Sequence, residues 1–381
     1  MVAAAIALAA CNSQPGQSLP VAVAGAGPQE VLSLLADNEL VLIPSGGSGI
    51  KWQVRLAPAP DISATHGYVG TGHYLALQNR GDLYVLPPDS YHGGSRLLTV
   101  DWRTGKIKQT TTLPDGAIYG SLAVGPRTGR VFLVGQRAKQ LLVTVFDPTR
   151  GAVTDTWVVR DMSHWKQQGP VGGDFSIYQA TVTQDENRLY YSYIGGLLPI
   201  AGLDWVDFIG SAARSCPPPR TDSACLPGLA GFQLYQGDVL LTTGIDTQDG
   251  VISRFSVDGK RLNEFHLKLG VGFLEDFALD AAAGRIYAIG SCGYVGGFSV
   301  LDIRTGVSTL LAPTQVGRVN QVPCGQRLEL NGSNELVVGS VHALLAQPGI
   351  PGRLLFISPK TGKVDREVTT TAEPLDVLVL R

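Results

Sequence analysis

The chain has 381 residues, 44% of them apolar and 16% charged, with 47 Gly, 23 Pro and a formal net charge of −2. That balance excludes a disordered or collagen-like chain and suits an all-β globule rich in tight turns. The 30 basic residues are scattered rather than run together, so the electrostatic footprint of a nucleic-acid binder is missing and nucleic acid is not an expected partner.

The N-terminus carries an apolar run, Val2 to Ala10, that ends in Leu8-Ala9-Ala10-Cys11 and is followed by the polar, Pro- and Gly-bearing stretch Asn12 to Ser18. The tetrapeptide resembles the lipobox of bacterial lipoproteins, although no Lys or Arg precedes the apolar run. The resemblance implies cleavage before Cys11, lipidation of its thiol, a membrane partner through that anchor, and a place on the extracytoplasmic side of a bacterial cell envelope. Residues 1–10 are then a signal segment, 11–29 a tether and 30–381 the folded domain. No other stretch is apolar and long enough to span a bilayer.

Seven segments of one kind follow in chain order, each a turn residue leading into β-formers: NELVLIPS from Asn38, GDLYVLP from Gly81, GRVFLVG from Gly129, NRLYYSYI from Asn187, GDVLLTTG from Gly237, GRIYAIG from Gly284 and NELVVGS from Asn334. They recur every 43–58 residues, the period of a propeller blade. A first strand precedes most of them: YLAL from Tyr74, SLAV from Ser121, ATV from Ala180, FQLY from Phe232, FALD from Phe277 and RLEL from Arg327. Downstream, polar hairpins closed by Gly105, Gly151, Gly259, Gly306 and Gly362 join each third strand to an outer one, because glycine accepts the positive φ such turns need. The expected fold is all-β, a seven-bladed β-propeller of four-stranded antiparallel blades. Its fourth blade lacks the hairpin signature and is expected to carry an irregular insertion over residues 199–227.

The C-terminal PLDVLVLR is expected to pair with the N-terminal blade around NELVLIPS and GIKWQVRL, closing the ring and hiding two sheet edges. PQEVLSLLAD stays open between the inner strand of that blade and a turn of amphipathic helix.

Apart from Cys11, the chain has Cys216, Cys225, Cys292 and Cys324, an even number in a sequence that reads as exported. Three disulfide connectivities exist. Cys216 with Cys225 is favoured because PPPRTDSA closes a short loop, which leaves Cys292 with Cys324; four buried thiols are the alternative.

The GR-[I/V]-[Y/F] strand, the D-x-x-TG turn and the period together resemble the YVTN-type, YncE-like bacterial β-propellers over nearly everything after residue 30. Propellers of this kind host binding modules, scaffolds, lactonases and quinoproteins alike, so the resemblance implies a fold rather than an activity. Quinoprotein propellers place a Trp a few residues after the turn; Ile107, Val153, Val307 and Val364 stand in that region here, and no quinone cofactor is carried over.

None of the compact catalytic motifs, such as G-x-S-x-G, H-E-x-x-H or a P-loop, is present. Chemistry would have to be assembled from separate blades, at the mouth of the central channel where the loops entering the first strands converge. The residues just ahead of those strands are His73, Tyr119, Tyr178, Glu275, Asp276, Arg327 and Glu373. They form a candidate ring for a small polar or cationic ligand, or serve only to satisfy loop backbone. Asp204 and Asp207, three apart around Trp205, would share a face on a helical turn; Trp205 and Phe208 offer a lid, a docking patch or simple packing. The expectation is a lipid-anchored, non-catalytic module that binds a protein or small-molecule ligand on one face, without a resident cofactor. The alternative is a lactonase-like propeller hydrolase with a divalent metal held by Glu275, Asp276 and His73.

Overall fold

In a computed structural model of the chain, residues 29–380 are described except 45, 48, 61–71, 79–80, 91–92, 164–174, 196–200, 211, 218–223, 229–230, 246–248, 269–273, 275, 290–296, 314–327, 332–334 and 341–347. Seven antiparallel sheets follow one another around a ring, as a seven-bladed β-propeller. The first blade has the order β29 (Pro374–Val379), β1 (Val31–Leu35), β2 (Glu39–Ile43), β3 (Trp52–Arg55). The other six run outward in sequence order. Their inner strands are β4 (Leu75–Leu77), β8 (Ile118–Val124), β12 (Phe175–Val182), β17 (Phe232–Tyr235), β21 (Phe277–Asp280) and β25 (Glu329–Leu330).

The two chain ends pair in the first blade and close the ring, as expected, but the strand that the tail pairs with differs from the sequence reading. The tail strand β29 is innermost and pairs with Val31–Leu35, Val31 opposite Val379 and Leu34 opposite Asp376, rather than with NELVLIPS. Val31–Leu35 is therefore the second strand, neither inner strand nor helix, and NELVLIPS is the third strand of its blade, whereas the six similar segments are second strands. The reason is burial: β1 is buried at all five positions, which a two-sided sandwich between neighbouring blades demands and an amphipathic helix does not. Toward the rim the blades splay and water reaches one face, so β20 (Arg261–Lys268) and β28 (Val364–Thr370) alternate or are largely exposed.

Antiparallel alternation sends successive connections to opposite faces of the disc. Second-to-third and outer-to-next-inner connections share one face, where the described ones include residues 36–38, 86–90 and 113–117. First-to-second and third-to-outer connections share the other, where those at 102–105, 148–151 and 303–306 are tight and the longest is 44–51. The glycines closing these turns take φ of 71° at Gly105, 63° at Gly151 and 71° at Gly306, as their placement predicts. We call the two sides the loop face and the turn face.

The fourth blade departs from expectation within 199–227. That stretch holds the regular third strand β14 (Ala201–Ile209) and an outer strand split in two, β15 (Ala212–Ser215) and β16 (Leu226–Pro227). Val206 pairs with Ser215 and Leu203 with Leu226, and the Cys216 amide donates to the Trp205 carbonyl at 3.0 Å. The two half-strands would be continuous if residues 217–224 were removed, and the Cys216–Cys225 disulfide, 6.3 Å between Cα atoms, pinches that side loop at its base. Cys292 and Cys324 lie outside the described residues. Non-reducing peptide mapping is expected to recover the Cys216–Cys225 pair, and Cys216→Ser with Cys225→Ser to lower unfolding free energy by about 2–3 kcal/mol.

Ring closure generates a second prediction. Asp376, fully buried in β29, accepts hydrogen bonds at Oδ2 from the Tyr74 and Leu75 amides of the next blade, at 2.7 and 2.8 Å. Asp376→Ala strands two buried amides and should cost about 2–4 kcal/mol, read as a shifted denaturant midpoint with the sheet spectrum retained at low denaturant.

Candidate functional site

The seven inner strands surround a central channel of about 440 Å³ whose wall includes Leu75, Leu122, Ala180, Gln233, Ala278, Glu329 and Val379, one from each strand. Consecutive residues such as Leu122, Ala123 and Val124 all line it. Successive side chains of a strand point to opposite sides, so a strand that lines a channel with consecutive residues presents its edge, and backbone amides and carbonyls form much of the wall. The side chains themselves fill the spaces between blades.

That orientation decides what the candidate ring does. Aligned on their alternating pattern, the inner strands begin at equivalent positions with Asp376, Tyr74, Ser121, Gln179, Gly231 and Asp276. Three of these reach sideways to the next blade. Asp376 holds the Tyr74 and Leu75 amides. Gln179 donates from Nε2 to the Phe232 carbonyl at 2.8 Å and accepts the Phe232 amide on Oε1 at 3.1 Å. Asp276 accepts the Leu328 amide on Oδ2 at 2.9 Å and its neighbour Phe277 on Oδ1 at 2.8 Å. Each latch reaches the residue one past its equivalent, Leu75, Phe232 or Leu328, and this constant offset means that these inner strands run parallel and in step around the axis.

Among the described ring residues, His73 lines the channel, whereas Asp276 and Tyr119 are turned into the ring wall. Asp276 is a latch with both oxygens engaged. Tyr119 is fully buried, its hydroxyl 2.7 Å from Thr144 Oγ1 within its own blade. His73 and Tyr178 do meet, with ring centroids 6.0 Å apart. The His73 amide donates to the Tyr178 carbonyl at 3.0 Å and its carbonyl accepts from Leu122 at 3.0 Å, so its peptide ties the second blade to the third and fourth. Glu373 is buried just ahead of β29, its carbonyl accepting the Ala36 amide at 2.8 Å. Glu275 and Arg327 lie outside the described residues, as do His66, His92, His164 and His342; His266 is in the outer strand β20, beside Glu264 at 3.2 Å.

Asp204 and Asp207 do not share a face. They lie three apart in a β-strand and so point to opposite sides. Asp207 pairs with Arg188, whose guanidinium stacks on Trp205 at 5.2 Å and reaches the Val257 carbonyl of the fifth blade. Asp204 points the other way, 1% exposed, and is bonded to Arg160 of the third blade's outer strand and to the Cys225 amide at 2.8 Å. Burial pushes its carboxyl above the ordinary range, against the pull of Arg160 and of the hydrogen bonds it accepts. Trp205 packs on Tyr190, and Phe208 lies between Phe132 and Trp157, so both are packing residues. The one group of metal-ligand types close together among the described residues is Asp204 with Cys216 and Cys225, where both sulfurs are tied in the disulfide.

Residue-level reading of the sequence missed Asp376, Gln179 and Arg160. The first two were findable by aligning the inner strands on their alternation; Arg160 had no signal, because its partner is 44 residues away in the next blade.

No family model matches the chain, and no curated protein matches it. Solved structures do resemble it. A functionally unknown protein from Desulfotomaculum acetoxidans aligns with a TM-score of 0.57 at 9% identity over 93% of this chain and 99% of that one. A provisionally assigned 6-phosphogluconolactonase from Bacteroides fragilis gives 0.55 at 12% over 96% and 100%. A quinoprotein alcohol dehydrogenase-like protein from Bacteroides thetaiotaomicron gives 0.52 at 12% over 92% and 77%. At such identities the likeness shows the propeller fold alone.

Arg160→Met should remove the only cation bonded to Asp204 among the described residues and cost about 3–5 kcal/mol at neutral pH. Because the folded pKa of Asp204 lies above its unfolded value, the native state binds the extra proton in the window between them, so this carboxylate's penalty is present above the folded pKa and relieved as pH falls through it. Urea unfolding of variant and wild type at pH 7.5 and pH 5 is expected to show the gap narrowing at the lower pH.

Proposed function

We propose that the chain is a lipid-anchored, extracytoplasmic propeller of the YVTN type that binds a protein or small-molecule ligand on its loop face and carries out no catalysis. The observation that supports this most is the asymmetry of the disc: long connections gather on one face and tight turns on the other, and loops on a rigid scaffold are where recognition is built. The channel mouth favours the same reading. Its buried polar groups at Asp276, Gln179 and Asp376 hold neighbouring blades together, which leaves recognition to the loops around them. A metal centred on Asp276 would have to compete with the Leu328 and Phe277 amides for both carboxylate oxygens.

Purified protein assayed for metal content, for hydrolysis of lactones and esters, and for thermal shift against a ligand panel tests the proposal. The expected result is a metal-free, hydrolytically inert protein with a ligand whose binding is abolished by shortening connections 56–74 and 314–328 and survives substitutions at Arg103 and Arg150 on the turn face. Stoichiometric metal with EDTA-sensitive turnover would replace it with the hydrolase reading.

A further inference from the structure

We infer that the disc sits on the bilayer by its turn face, with the loop face turned outward to its ligand. The inference rests on the proposed lipid anchor at Cys11 and adds an orientation to it. Its basis is strand polarity. Strand β29 runs from the loop face toward the turn face and β1 runs back antiparallel to it, Val31 opposite Val379 and Leu35 opposite Pro374. Both chain ends of the domain therefore leave from the turn face, where the Leu380 amide donates to the Glu30 carbonyl at 2.9 Å. They leave close to the axis, because β29 lines the channel and β1 is its immediate neighbour.

The tether is short. Residues 12–29 separate Cys11 from the fold, and a chain of that length reaches at most about 60 Å fully extended. Presenting the loop face to the membrane would take the tether outward past β1, β2 and β3, about 15 Å, and up the rim by the length of a strand, about 20 Å, consuming more than half of that reach. The turn face needs no such detour.

Charge points the same way. The turn-face hairpins carry the exposed cations Arg103, Arg150, Lys260, Arg304 and Lys360. The acids beside two of them are folded back onto turn amides, Asp147 onto Thr149 at 2.9 Å and Asp302 onto Arg304 at 2.9 Å. Exposure separates the layers: Arg150 is 73% exposed against 12% for Asp147, and Arg304 72% against 26% for Asp302. Exposed acids remain at Asp185 and Asp258, so the outermost layer is predominantly rather than wholly cationic, which suits anionic lipid headgroups.

Hydrogen exchange reads the orientation directly. The lipidated full chain in phosphatidylcholine–phosphatidylglycerol vesicles is compared with a soluble Cys11→Ser chain. Exchange in hairpins 102–105, 148–151 and 303–306 is expected to slow about threefold or more on the membrane, with loop-face segments 36–38, 86–90 and 113–117 unchanged. Combined Arg103→Glu, Arg150→Glu and Arg304→Glu should reduce that protection while the protein still sediments with vesicles. Protection of the loop face, or of neither face in a sedimenting protein, overturns the orientation. A chain that carries no acyl group by mass spectrometry defeats the anchor instead; a hexahistidine replacing residues 1–11, on vesicles with nickel-chelating lipid, then tests the geometry by the same exchange pattern.

Discussion

The ring stands on hydrogen bonds that run around it rather than along it. Inner strands offer one edge to the channel, and each must be held to its neighbour by something other than a sheet ladder. Buried side chains do this at Asp376, Gln179 and Asp276, each engaging backbone of the following blade one residue past the equivalent position. A carboxylate that accepts two amides is a charge-assisted contact in a dry setting, where losing it leaves uncompensated polar groups. Hydrophobic packing between blades is larger in total but has no direction. The latches set the level at which successive blades meet. On the turn face the same logic appears once more: Glu186 of the fourth blade accepts the Arg127 and Thr128 amides of the third at 2.6 and 2.7 Å, and adopts a φ of 59° in doing so.

Closure by β29 and β1 turns an open array into a ring without free inner edges, and it also determines where the ends emerge. That links fold to function. Because strand polarity alternates, ends that meet in the first two positions of a blade leave from the face of the first-to-second and third-to-outer turns, opposite the connections from blade to blade. Under the proposed anchor and ligand face, one decision about pairing thus separates the side of attachment from the side of recognition. The fourth blade adds a local variation at the rim, where eight residues between Cys216 and Cys225 interrupt the outer strand, both halves pair with β14, and the disulfide joins their ends.

Most of the architecture was legible in the sequence because the repeat is physical. Turn residues, alternating β-formers and a period near one blade recur, and hairpin glycines fall where positive φ is required. Equivalence was harder to read: NELVLIPS looks like its six counterparts yet lies one strand further out, since a displaced tail strand leaves no mark in the local pattern. Asp204 and Asp207 were misleading for a related reason, as the same spacing places two carboxylates together on a helix and apart on a strand. Asp276 and His73 both precede inner strands, yet residue type alone does not tell a side chain that faces the lumen, as His73 does, from one that bonds the next blade, as Asp276 does.

By itself the sequence determined the strand content, the sevenfold repeat, the hairpin chemistry and the pairing of Cys216 with Cys225. These depend on neighbours near in the chain, whose geometry composition and spacing encode. Tertiary structure alone decided that the tail strand takes the innermost place beside Val31–Leu35, that Arg160 of one blade neutralises Asp204 of the next, and that the polar residues at the channel end serve as latches. Each of those depends on which edges meet once the sheets pack around an axis, and separation along the chain carries no record of that.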